Sequence, residues 1–205
     1  MKKHLFVYIT IMFIFVGCSV DNELKDSVFI EDAENPELPV YSEWVYNTFG
    51  AYYDRVVFVS NDDIVPSKVV VTNNKVSFIL AGQQGSTNYY SDYQKMSIKF
   101  ELKGFEIDGY RDLIDFNLSV HNLVTVGQIL DPKVIIVIDD VEYPADVIEG
   151  SLTFKRVQNL LVDTQQIEVI LSGCFDFKAL VNNEPVTISD GRFDVGVGPH
   201  NFYKY

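Results

Sequence analysis

The stretch KMSIKFELKGF, residues 95–105, alternates through its first nine positions. Met96, Ile98, Phe100 and Leu102 fall on one side, and Lys95, Ser97, Lys99, Glu101 and Lys103 on the other. Only extended backbone has a side-chain period of two, so the segment reads as a strand with one buried and one wet face. IEVILSGCFDFKAL, residues 167–180, repeats the pattern. Ile167, Val169, Leu171, Gly173, Phe175, Phe177 and Ala179 form its inner side; Glu168, Ser172, Cys174, Asp176 and Lys178 form its outer side. A strand with one apolar face must bury that face against other strands or a helix, and helix patterns are almost absent here.

The spacing of turn residues sets the architecture. In SKVVVTNNKVSFILAG two β-branched runs flank Asn73 and Asn74, and in KVIIVIDDVEYPADVI Asp139 and Asp140 hold the same place. Asn and Asp tolerate the positive φ that a two-residue hairpin turn requires. VTISDGRFDVGV predicts two short strands joined by a turn at Asp190 and Gly191. About ten strands follow in this way, with one short helix over residues 108–115. Regular turns between short strands predict an all-β chain: a single-domain antiparallel β-sandwich or flattened barrel over residues 40–205.

Before that domain the sequence changes character twice. Lys2 and Lys3 precede an apolar run from Leu5 to Val16, broken only by Thr10. A charged start, a short apolar middle and a small exit residue are the parts of a secretory signal, here residues 1–17. Twelve residues make roughly 18 Å of helix, too short for a hydrocarbon core of about 30 Å. The segment at residues 18–39 then carries Asp21, Glu23, Asp26, Glu31, Asp32, Glu34 and Glu37 against Lys25. Self-repulsion predicts an extended acidic tether there. The whole chain has a formal net charge of −13, and loss of Lys2 and Lys3 with the signal takes it to −15. Such acidity argues against nucleic acid as a partner and against adhesion to anionic lipid by charge.

Phe15-Val16-Gly17-Cys18 resembles the lipobox of bacterial lipoproteins, with phenylalanine at the position where that family usually has leucine. The resemblance implies cleavage before Cys18 and acylation of its thiol, which makes the membrane a partner through a lipid anchor. Asp21 and Glu23 resemble the acidic export signal that follows the cysteine in some Gram-negative lipoproteins, which implies surface display. The closing segment is similar to that of small β-rich outer-membrane lipoproteins of gut-dwelling Gram-negative bacteria. Ser172, Gly173, Phe175, Phe177 and Ala179, then Val186, Ile188, Gly191 and Phe193, carry that likeness. It implies fold and a cell-envelope location, and no activity.

No catalytic signature is present. The chain lacks the HExxH zinc motif, the GxSxG elbow and the GxxxxGK[ST] phosphate loop. The carboxylate pairs Asp62–Asp63 and Asp139–Asp140 sit at predicted turns, where adjacent side chains diverge. With Cys18 acylated, Cys174 has no partner, and once His4 leaves with the signal the two remaining histidines, His121 and His200, are too few for a structural metal site. No metal or other cofactor is expected. The binding candidates are aromatic. STNYYSDY places Tyr89, Tyr90 and Tyr93 in a polar loop between strands, suited to stacking on a sugar or meeting a protein. Trp44 and Phe202 are expected in the core. The sequence therefore predicts a lipid-anchored, non-catalytic binding module for a glycan or protein. The alternatives are a subunit of an envelope assembly joined by strand addition and, less favoured, a carboxylate-dependent hydrolase.

Overall fold

In the computed structural model of the chain, the described residues are 26–61, 65–73, 75–85, 94–125, 132–162 and 164–205. Eleven strands follow one another: β1 (Thr48–Tyr53), β2 (Val56–Val59), β3 (Ser67–Thr72), β4 (Lys75–Gln84), β5 (Gln94–Lys103), β6 (Val120–Asn122), β7 (Lys133–Ile138), β8 (Val141–Val162), β9 (Gln165–Val181), β10 (Glu184–Val197) and β11 (Phe202–Lys204). A 3-10 helix, Tyr110–Phe116, lies between β5 and β6. It covers most of the predicted helix. Asp112 starts it by accepting from the backbone N–H groups of Asp108 and Gly109, at 2.8 and 2.9 Å.

Pairing runs β4–β2–β1–β10–β9–β8–β7–β5, and β5 then pairs back onto β4. All eight joints in that ring are antiparallel. The expected flattened barrel is therefore a closed meander. β2 and β3 lie in line along β4: Val59 pairs with Gln83, and Ser67 with Leu80. The β2–β4 joint has only two residue pairs. β11 adds in parallel to β3.

The inner faces meet in a phenylalanine core. Phe78 lies 5.1 Å from Phe193 and 5.6 Å from Phe154, ring centre to ring centre. Phe154 continues to Phe116 of the 3-10 helix at 5.0 Å, so the helix plugs one end of the barrel. Such tilted aromatic pairs contribute roughly 0.5–1.5 kcal/mol each beyond burial of their area. The alternation read for residues 96–102 holds: all four apolar side chains are buried. So are Val169, Leu171, Phe175, Phe177 and Ala179 in β9.

Two expectations change. Asp139 and Asp140 do form a turn, both at positive φ. Asp190 and Gly191 do not: β10 runs straight through them, and a bulge between Ile188 and Gly191 shifts its register against β9. Asp190 absorbs the bulge at φ 55°. A side chain at Gly191 would meet the Phe175 carbonyl at 2.2 Å, so strand contact requires glycine there. The second change concerns the acidic tether. Its described part, residues 26–39, lies folded on the outside of the barrel. Glu31 bridges to Pro39, and Leu38 is fully buried against Val57 and Val59. Charge repulsion is offset locally because Arg192 of β10 pairs with Asp32. Asn35 and the Glu34 N–H donate to the same carboxylate.

Candidate functional site

The loop at residues 41–46 follows this segment and sits over the outer faces of β8, β9 and β10. Its backbone closes around one buried carboxylate. Asp194 accepts from the N–H groups of Trp44 at 3.0 Å, Val45 at 3.1 Å and Tyr46 at 3.0 Å, and from the Ser172 hydroxyl at 2.9 Å. Alternation placed Ser172 outward, and it is outward, yet the loop covers it completely. Val45 stands at φ 62°, a left-handed conformation that costs a β-branched residue roughly 1–3 kcal/mol. The charge-assisted bonds to Asp194 hold it there. Two further ties come from β8: Arg156 pairs with Glu43 at 2.9 Å, and the Gln158 amide donates to the Glu43 carbonyl at 2.9 Å.

The consequence is an outward indole on a fixed backbone. Trp44 is 78% exposed, contrary to its expected place in the core. The loop's hydrogen bonds engage its backbone and leave its ring in solvent. Beside it opens a shallow hollow of about 350 Å³ lined by Ile30, Val40, Tyr41, Trp44 and Tyr46, with Ser42 and Glu43 at its polar side. The polar groups here already bond one another. Tyr41 donates to Glu43 at 3.0 Å, and Ser42 accepts from the Trp44 N–H at 3.1 Å. Burial, then the bond to Glu43, pushes the Tyr41 phenol well above its usual range. The Arg156 guanidinium holds the Glu43 carboxyl low. Lys155 lies over the Tyr41 ring at 4.8 Å.

Tyr89, Tyr90 and Tyr93 lie outside the described residues, as does Cys18. The strand ends that flank the tyrosine loop are described. Gln84 pairs with Gln94 at the end of the barrel that also carries the turns at residues 54–55, 139–140 and 182–183. Gln94 reaches Asp139 at 2.8 Å, tying two of these turns together. Cys174 is half-buried on the outer side of β9, as its alternation indicates. Phe202 is partly buried and packs on the core.

A second cluster at the plugged end resembles a catalytic pair and is oriented against that use. Ser119 Oγ lies 3.0 Å from His121 Nε2 but donates its single hydrogen to the Phe116 carbonyl at 2.6 Å. With its hydrogen so engaged, the hydroxyl turns lone pairs toward the imidazole, an arrangement that suits the tautomer with the proton on Nε2. Burial among Phe105, Phe116 and Phe154 lowers the histidine's proton affinity. Among the described residues, no three His, Cys, Asp or Glu side chains gather closely enough to hold a metal ion.

Sequence reasoning missed Asp194 altogether, because an acid on the outer side of a strand ordinarily faces water. A usable signal for Trp44 existed in its neighbours, since Ser42 and Glu43 mark a polar loop rather than a core strand. No protein-family model, curated protein or solved structure matches the chain.

Proposed function

We propose that the chain is a lipid-anchored protein of the cell envelope, attached to the outer membrane through Cys18, whose barrel is a non-catalytic binding module for a glycan or a protein. One observation supports binding at the surface. Phenylalanine fills the barrel's interior, so a ligand meets loops or wall and not an internal cavity. The end carrying three turns and the tyrosine loop's flanks is the natural ligand face, because the 3-10 helix and the chain's entry into β1 occupy the other end. A strand-addition partner is the second reading. It is favoured by β11, which ends the sheet path and pairs only with β3 among the described strands.

The test combines location and binding. Protease applied to intact cells should remove the wild-type protein, and Cys18→Ala should release it from the membrane. A glycan array and a pull-down should then identify a ligand whose affinity falls with Tyr90→Ala at unchanged melting temperature. A blank array with a clean monomeric pull-down would count against a binding module.

A further inference from the structure

The face around Trp44 has the chemistry of a lipid contact. Val28, Ile30 and Val40 are between 36% and 47% exposed, and Ile30 and Val40 line the same hollow as Trp44. Backbone bonds set them side by side: the Val28 N–H donates to the Tyr46 carbonyl at 2.7 Å, and the Val40 N–H to Ile30 at 2.7 Å. Ile30 and Val40 share the lining of the hollow with Trp44, and the polar side chains of Tyr41, Ser42 and Glu43 there already have hydrogen-bond partners. A sugar needs free donors and acceptors around the ring it stacks on, and the pattern here offers few. An indole beside aliphatic groups, with tyrosines at the margin, is the composition that partitions to the boundary between headgroups and acyl chains.

The chain's own length selects the occupant. Cys18 stands ten residues before Val28. Fully extended, that stretch reaches at most roughly 35 Å. An acyl group on Cys18 therefore keeps the patch close to the bilayer, at a high effective concentration. We infer that this face of the barrel wall seats the protein on the bilayer, with Trp44 inserted at the headgroup level. The inference rests on the anchoring read for Cys18. Contact is apolar, because a net charge of −15 after loss of the signal opposes attraction to anionic lipid.

Trp44 is the single tryptophan of the chain, so its fluorescence reports this contact alone. Protein acylated at Cys18 is reconstituted in phosphatidylcholine vesicles whose acyl chains carry bromine near the headgroup. The same mature chain with Cys18→Ala is mixed with identical vesicles. The acylated protein should lose about half of its indole emission or more, with a blue shift that added salt does not reverse, as expected of an interfacial tryptophan. The released protein should lose little. Ile30→Asp with Val40→Asp, both at exposed positions, should abolish the quenching at an unchanged melting temperature. Trp44 that stays as open to acrylamide on vesicles as in solution overturns the inference. So does a blue shift without bromine quenching, which means that a second protein surface covers the patch. Mass spectrometry of Cys18 separates the two readings. If the thiol is bare, anchoring by acylation fails. Coupling Cys18 to a maleimide lipid in a Cys174→Ser background then tests the seating by itself, with the same two outcomes.

Discussion

Replacing Asp194 by alanine removes the acceptor for three consecutive backbone N–H groups and one hydroxyl. The Trp44 N–H keeps Ser42 as a partner. Tyr46 is half-buried, and water reaches part of what it loses. The Val45 N–H and the Ser172 hydroxyl are buried, and each costs about 1–3 kcal/mol when left unmatched. The Val45 backbone strain then lacks its compensation, and the loop relaxes, which limits the total. The expected loss is about 3 kcal/mol, or roughly 6–12 °C in melting temperature for a chain of this size. Asp194→Asn should cost less, because an amide oxygen in the Oδ1 position still accepts from Val45 and Ser172, and only the Trp44 and Tyr46 N–H groups at Oδ2 then face an NH2 donor. Ser172→Ala should cost only about 1 kcal/mol. Urea denaturation gives the three values, and hydrogen exchange at Val45 and Tyr46 locates the change. A loss below about 1 kcal/mol for Asp194→Ala, with exchange at those two amides unaltered, would refute the idea that this carboxylate fixes the loop.

Four other outcomes follow from the geometry. Trp44→Ala should change stability by no more than about 0.5 kcal/mol, since the ring packs on little, which makes it a clean probe of binding. Gly173→Ala should destabilise by about 1–3 kcal/mol, because the new methyl group would meet the Thr153 carbonyl at 2.0 Å and the Phe193 ring at 2.6 Å; thermal melts check it. Hydrogen bonds from Asn35 and the Glu34 N–H, with Arg192 beside them, bring the Asp32 carboxyl down to about 2. A depressed carboxylate stabilises the fold above its unfolded value near 4, and that contribution is lost as pH falls from there towards 2. Asp32→Asn should flatten the urea midpoint across this interval and leave its slope elsewhere unchanged. Phe154→Ala, at the junction of barrel and plug, should cost about 3–5 kcal/mol by calorimetry.

Period-two alternation made the strands legible, because each buried side chain contributes the same signal wherever its partner lies. Met96 to Leu102 could be assigned to the interior without knowing that β4 and β7 flank them. Closure of the ring could not be read, since the β1–β10 ladder joins Thr48 to Asp194 and no local pattern encodes that distance. The Asp190–Gly191 bulge looked like a turn because both need the same left-handed backbone; only the continuing partner strand distinguishes them. The aromatic face was misjudged for a related reason. Hydrophobicity alone places Trp44 inside, and its exposure comes from a carboxylate 150 residues away in sequence that binds its backbone. Composition alone singles out the tyrosine loop; what supports it in the fold is the position of its flanking strands.

The pairing of β1 with β10 also sets an order of events. Every other joint in the ring spans far fewer residues, from tight hairpins to the β5–β7 joint across the 3-10 helix and β6, so those pairings can form as the chain emerges. β1 emerges first and β10 nearly last. Until then the outer edge of β1 and the edge of β9 both present unpaired backbone, and Phe49 and Phe58, 4.9 Å apart in the finished barrel, lack their cover. A chain shortened by its final strands cannot form a smaller stable barrel; it remains an open, sticky sheet. The core is thus closed only once β10 has been made, and termination before it should yield material that proteases or aggregation remove.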